Sequence, residues 1–146
     1  AAFCLYHSPR PADVVAEIGR SLRPDGIAVL VTKSADSYHE LDQILADTGL
    51  DPDAAAKPSL YTAFHTGNAA AITTEHLGVR SVIHHKHIFL FTDPALLAQY
   101  ISTTPRYQPG ALSHDVGAIT DVLRRCASAQ AVTVTSTVTY VLAARL

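Results

Sequence analysis

The sequence predicts an α/β domain, in which helices and strands alternate along most of the chain. The first observation is the turn Pro24-Asp25-Gly26, which separates a helical pattern from the continuous apolar run Ile27 to Val31. Pro24 cannot continue a helix, and Gly26 tolerates the positive φ that such a turn commonly needs. The apolar run has no polar alternation, which is typical of a central strand covered on both faces. The second observation is the alternation of valine and threonine from Ala131 to Leu142, which is typical of an antiparallel strand.

The remaining elements follow from helical periodicity and from residues that begin or end helices. Ala1 to Leu5 is predicted to be the end of a strand, and Val79 to Phe91 a long strand. Helices are predicted from about Ala12 to Leu22, from Asp36 or Ser37 to Thr48-Gly49, from Ala69 to Leu77, from Pro94 to Thr104-Pro105, and from Val116 to about Cys126. Glu40 would complete a capping box with Ser37, Gly78 would close the third helix, and Pro109-Gly110 would form a turn. The predicted order is β-α-β-α-α-β-α-α-β, without a second domain.

Composition and charge exclude several classes of function. The chain has 146 residues, of which 48% are hydrophobic and 16% charged, and its formal net charge is -2. That is enough for one domain with a core, and nothing indicates a nucleic acid or a membrane as partner. No apolar run approaches the roughly 20 residues of a membrane span. Cys4 and Cys126 fit no metal or redox spacing, so we expect reduced thiols in a cytoplasmic protein.

The first residues lie within an apolar run. The sequence contains no methionine and opens on Ala1-Ala2-Phe3-Cys4-Leu5, which reads like the second half of a strand. We therefore expect a fragment or a processed piece whose N-terminal part is missing. The apolar edge at Ala1 to Leu5 would then pair with that missing part or with a second copy of the chain.

Two motifs resemble those of a known enzyme family. Leu5-Tyr6-His7 is followed, after one predicted helix, by Leu22-Arg23-Pro24-Asp25-Gly26 and an apolar strand. This combination resembles the second half of class I S-adenosylmethionine-dependent methyltransferases, in the type 11-like branch that acts on small molecules. Asp25 stands where that family usually has glycine, and a turn tolerates this difference. Phe64 with Gly67-Asn68, and Thr92-Asp93-Pro94, also look like one subfamily's pattern, so the likeness covers most of the chain.

The resemblance implies a Rossmann-like sheet of seven strands. This chain would hold the fourth to seventh strands in the order 4-5-7-6, with the last strand antiparallel. The implied cofactor is S-adenosylmethionine, and the implied partner is a small-molecule acceptor. In the family, a Gly-rich loop in the N-terminal half holds most of the cofactor, whereas none of the 7 glycines here forms a G-x-G-x-G motif. Residues 1–146 would thus be a single partial domain without its cofactor-binding half, and we expect it to bind the cofactor weakly or not at all.

The expected site lies at the carboxyl ends of the first strands, where open α/β sheets bind ligands. The resemblance implies remaining cofactor contacts from Ala1, Ala2 and Phe3, a catalytic His7, and acceptor contacts from Tyr6, Phe64 and the Thr32-Lys33 segment. An imidazole suits the removal of a proton from an oxygen or nitrogen nucleophile. The alternative to these site roles for His7, Tyr6 and Phe64 is ordinary packing or loop hydrogen bonding.

Other patterns leave weaker expectations. His84-His85-Lys86-His87 places only two imidazoles on one face of a strand, too few for a closed zinc site, so we expect no metal.

Two other functions remain open. One is a non-catalytic α/β interaction domain that keeps the back half of the fold. The other is a different α/β binding module whose turn motif coincides by chance.

Overall fold

The computed structural model describes residues 1–107, 110–112, 114–126 and 131–146. The predicted turn at Pro109-Gly110 lies partly outside them, because Pro109 is not among the described residues. Two compact units share these residues. The first unit contains Ala1–Ser37, Pro58–His87 and Ser136–Leu146, and the second contains Tyr38–Lys57 and Ile88–Thr135.

The fold is mixed α/β with a small three-stranded sheet. Its strands are β1 (Ile27–Lys33), β2 (Gly78–Phe91) and β3 (Val132–Ala144), and their order is β1-β3-β2. β3 runs antiparallel to β1, with Ile27 opposite Ala144 and Lys33 opposite Val138. On β1, Ala28 and Leu30 are buried, whereas Ile27 is 57% and Val29 43% exposed. The prediction that this strand is covered on both faces is therefore wrong at Ile27 and Val29, although Val31 on the same face is buried.

The first predicted strand does not form as such. Ala2 makes an isolated parallel bridge with Val31, and the Phe3 N–H donates to the Val31 carbonyl at 2.9 Å. Phe3 then has a φ of 53°, and Leu5–His7 form a short 3-10 helix. A positive φ of this kind ends any extended conformation. The four-strand order 4-5-7-6 is thus not confirmed as a whole.

The alternation along β3 also changes part-way. Val134, Ser136 and Val138 are buried, as the predicted apolar face requires, but beyond them the buried residues are Thr139, Val141, Ala143 and Ala144. Thr139 can be buried because its hydroxyl is hydrogen-bonded to two side-chain partners, described with the site below. The simple period-2 pattern therefore predicts the strand but not which set of side chains is buried at its end.

The described residues contain five α-helices. They are α1 (Pro11–Ser21), α2 (His39–Asp47), α3 (Ala69–Thr74), α4 (Pro94–Thr103) and α5 (Val116–Cys126). Local signals place α1 and α4 well, because Pro11 and Pro94 stand in the first turn. Asp93 caps α4 by accepting a hydrogen bond from the Ala95 N–H at 2.9 Å. No helix in this part of the chain has the length and hydrophobicity needed to cross a bilayer.

Two predicted helix ends are wrong. The N-cap of α2 is Tyr38, with a φ of 69°, so neither Asp36 nor Ser37 caps it and no capping box forms. The Glu40 carboxylate instead accepts hydrogen bonds from the Thr135 N–H at 3.1 Å and from the Thr135 hydroxyl. α3 ends at Thr74, and Gly78 begins β2 rather than closing the helix.

Each unit has its own hydrophobic core. In the first unit the largest fully buried side chains include Leu30, Phe64 and Val141. In the second unit Leu41 and Ile119 belong to the core, with side chains from α2, α4, α5 and β3. The first unit also contains all of the residues predicted for the functional site.

Candidate functional site

Five side chains of the first unit, Phe3, Tyr6, His7, Lys33 and Tyr61, form a connected group that we call the aromatic site. The Lys33 ammonium lies 5.6 Å from the ring centre of Phe3 and 5.8 Å from that of Tyr61. Tyr61 packs edge-on against Tyr6, with ring centres 4.8 Å apart. The Tyr6 ring lies 4.5 Å from the His7 imidazole. A continuous series of contacts thus joins Phe3 to His7.

The backbone explains why these side chains meet. Lys33 is the last residue of β1, so its side chain leaves the carboxyl end of that strand. The bridge between Ala2 and Val31 brings Phe3 beside the same end, and the 3-10 helix that follows presents Tyr6 and His7. This is the edge at which open α/β sheets bind ligands.

Tyr61 reaches the site from the loop between α2 and α3, and it is not among the residues predicted from the sequence. Two hydrogen bonds fasten that loop to β1. The Thr32 hydroxyl donates to the Phe64 carbonyl at 2.6 Å, and the Thr66 N–H donates to the Lys33 carbonyl at 3.1 Å. The pattern offered one signal, since Tyr61 shortly precedes Phe64 in the same aromatic loop.

Phe64 and Thr32 lie behind the site rather than in it. Both are fully buried, Phe64 in the core of the first unit and Thr32 with its hydroxyl on the Phe64 carbonyl. In this conformation neither side chain offers surface to a ligand, so their visible effect is to position the loop that carries Tyr61. Direct contact of either with an acceptor stays a prediction. Tyr6 is half-buried and keeps an accessible part.

Phe3 has an unusual backbone conformation for a bulky residue. Its φ of 53° is in the left-handed region, and its side chain is nevertheless 41% exposed. Such a conformation costs about 1–3 kcal/mol and persists where the surroundings impose it, often at functional sites. Here the bond to the Val31 carbonyl and the contact with Lys33 hold it.

Comparisons with known proteins bear on the fold. No family model matches this sequence, and no curated protein does. A crystal structure of a candidate methyltransferase from Bacillus halodurans C-125 is similar, with a TM-score of 0.51 and 16% sequence identity. The match covers 99% of this chain and 62% of that one. The chain has a methyltransferase-like fold. At this identity the similarity establishes the fold alone, and the chain spans less than two thirds of the protein that it resembles.

Within this methyltransferase-like fold, the residues predicted for catalysis and for the cofactor are accessible. His7 is exposed. Its backbone N–H donates to the Cys4 carbonyl at 3.0 Å, and this bond belongs to the 3-10 turn. Ala1 and Ala2 are also exposed, and the Ala1 carbonyl accepts from the Val31 N–H at 2.8 Å. Accessibility is necessary for the predicted roles of these residues, and the roles themselves stay predictions.

The histidines of β2 have structural partners. His84 Nδ1 lies 2.9 Å from the Thr139 hydroxyl, which in turn lies 2.7 Å from the Thr66 hydroxyl. The His85 ring packs edge-on against Tyr140, with centres 5.8 Å apart. No group of three or more His, Cys, Asp or Glu side chains within the described ranges could hold a metal ion.

Proposed function

We propose that residues 1–146 are the acceptor-binding part of a class I, type 11-like methyltransferase that uses S-adenosylmethionine and methylates a small molecule. The observation that carries the proposal is the convergence of Phe3, His7 and Lys33 at the carboxyl end of β1, in a methyltransferase-like fold. The motifs Leu5-Tyr6-His7 and Leu22 to Gly26, which lie on either side of α1, support the same family.

The residues present fit only one end of the cofactor. Ala2 and Phe3 are exposed beside Val31 and could contact the reactive end, but the sequence contains no G-x-G-x-G motif to hold the rest. When bound, S-adenosylmethionine would supply an electrophilic methyl group. The partial domain proposed here would therefore depend on residues outside these 146 for most of its cofactor affinity.

His7 is the proposed general base. Its imidazole is exposed at the aromatic site and can accept a proton from an O–H or N–H of the acceptor as that atom is methylated. Tyr6 packs against one side of His7 and restricts its orientation. Positioning of the acceptor by the surrounding rings would supply much of the remaining rate acceleration.

A second candidate is a non-catalytic interaction domain, and exposed apolar side chains on β2 favour it. In the second unit Ile88 is 67%, Leu90 61% and Phe89 42% exposed. β2 is an outer strand in the order β1-β3-β2, and an exposed apolar outer strand is a template for pairing with another chain. Pairing of the Ala1 to Phe3 segment with an N-terminal half, or with a second copy, belongs to the same candidate.

Two samples test the proposal: the 146-residue chain and the product of the complete reading frame that encodes it. Calorimetry measures S-adenosylmethionine binding, and radiolabelled cofactor measures methyl transfer to a panel of small molecules. We expect the complete product to bind at micromolar levels and to transfer the label, and the 146-residue chain to bind weakly or not at all. A complete product that neither binds nor transfers would contradict the proposal and leave the interaction domain. Micromolar binding by the short chain would refute the partial cofactor site.

A further inference from the structure

We infer that Lys33 forms an anion subsite, which binds a carboxylate or phosphate group of the ligand. The inference rests on the proposed function in one respect, which is that the bound ligand is the methyl acceptor. It names the chemical class of the ligand, which the fold comparison does not address.

Two aromatic rings lie beside the Lys33 ammonium. The ring centre of Phe3 lies 5.6 Å from it and that of Tyr61 lies 5.8 Å from it. Both separations are within the range of cation–π attraction. A lysine side chain normally loses substantial rotamer entropy when a ligand orders it, and these two rings restrict the side chain in advance. An aromatic ring has no net charge, so these two ring contacts restrict the side chain without placing a negative charge beside the ammonium.

The backbone segments that carry both rings are themselves held in place. Tyr61 is held by the loop bonds from Thr32 to Phe64 and from Thr66 to Lys33, and only 8% of Tyr61 is exposed. Phe3 is held in a left-handed conformation that an exposed bulky residue would otherwise avoid. Preorganised binding requires that the side chains around a ligand are positioned in advance by their own neighbours.

The position of Lys33 in the fold also favours ligand binding. Lys33 is the last residue of β1 and so lies at the carboxyl end of the strand, where open α/β sheets bind ligands. A lysine whose stem only covers apolar surface has no need of this position. The ring contacts through Tyr61 and Tyr6 lead directly to His7. An acceptor whose anionic group binds Lys33 would thus lie against the rings that adjoin the proposed base.

Lysine ammonium NMR on the 146-residue chain tests the subsite without any assay of activity. The sequence has three lysines, Lys33, Lys57 and Lys86, and single Arg substitutions of Lys57 and Lys86 assign their signals. The probes are benzoate, phenyl phosphate and neutral benzamide, which share a ring and differ in charge. We expect a Lys33 signal that the two rings shift upfield, and we expect benzoate or phenyl phosphate to move it further. Benzamide should leave it unchanged, and the two anions distinguish a carboxylate from a phosphate preference.

Two variants separate the charge from the packing of the side chain. Lys33→Met keeps most of the stem and should lower affinity for the preferred anion by about tenfold or more, the effect of losing one charge-assisted hydrogen bond. Lys33→Arg should retain most of the affinity, and Lys86→Met, at an exposed position on β2, should leave it unchanged. If Lys33→Met does not fold, the titration of the unmodified chain still decides.

The inference is overturned if neither anion moves the Lys33 signal more than benzamide does, or if Lys86 responds equally. Anion binding without methyl transfer by the complete protein would leave the subsite in place and remove only the proposed function. Methyl transfer to neutral acceptors, with no response of Lys33 to anions, would support the proposed function and remove the anion subsite.

Discussion

Replacing Thr32 by valine tests whether one hydrogen bond positions the loop of the aromatic site. Thr32 is fully buried, and its hydroxyl donates to the Phe64 carbonyl at 2.6 Å. Valine has nearly the same shape, so the substitution removes the donor with little change in packing volume. The Phe64 carbonyl then loses this partner inside the core of the first unit, close to the loop residue Tyr61.

The expected cost follows from that loss. A buried acceptor left without its partner costs about 1–3 kcal/mol, more than the net worth of an average hydrogen bond. For a chain of this size, each kcal/mol lowers Tm by roughly 2–4 °C, so the midpoint should fall by about 2–12 °C. The looser loop should also reduce the ring-current shift of the Lys33 ammonium, because Tyr61 supplies one of its two rings.

Thermal and urea unfolding followed by circular dichroism measure the change in Tm and in unfolding free energy, and lysine NMR measures the change at Lys33. Thr74→Val is the matched control, since Thr74 is exposed and its hydroxyl donates to the Ala70 carbonyl of the same helix at 2.8 Å. This control should change stability by less than about 0.5 kcal/mol. The reasoning is refuted if Thr32→Val costs no more than Thr74→Val and leaves the Lys33 signal in place.

Three further predictions concern other parts of the chain. Under the proposed function, His7→Ala should lower the methyl-transfer turnover of the complete protein by about 10²-fold or more with the fold intact, whereas His114→Ala should not; equal turnover would return His7 to a packing role. Burial alone would raise the pKa of Glu40, but hydrogen bonds from Thr135 outweigh it and lower that pKa. Glu40→Gln should therefore destabilise the protein at neutral pH, and its difference from wild type should shrink as pH falls through the folded-state pKa; a constant difference in acid titrations would contradict this. Gly49 has a φ of 73°, and a Cβ there would meet no described atom within 4 Å. Gly49→Ala should thus cost about 1 kcal/mol of unfolding free energy from backbone strain alone, and an unchanged urea midpoint would exclude that strain.

Local signals predicted most of the helices. A proline in the first turn and an aspartate before it mark the start of α4, and the helix begins at Pro94 as that pattern requires. The spacing of apolar residues over Val116–Cys126 matches α5 from end to end. These features depend on residues within a few positions of one another, which is why the sequence alone suffices for them.

The wrong predictions have a different cause, because distant partners changed a local preference. Glu40 fits a capping box by spacing, yet its carboxylate bonds to Thr135, 95 residues away. Gly78 suits a helix end, yet it begins a strand. The turn at Phe3 requires a positive φ in a phenylalanine, a conformation that no propensity favours and that the bond to Val31 stabilises.

The candidate site shows the same division within a few residues. The carboxyl end of β1 and the motif containing His7 could be located from the sequence, because strand ends and turn motifs are local. Tyr61 could not, since its place beside Lys33 depends on two hydrogen bonds that fasten its loop to β1. The fixed charge at Lys33 thus arises from tertiary structure, even though the residue itself stood at the predicted edge. If anions move the Lys33 signal, the loop between α2 and α3 contributes the specificity of the site, because it positions Tyr61 beside Lys33. The scaffold and the proposed base are contributed by the motifs on either side of α1.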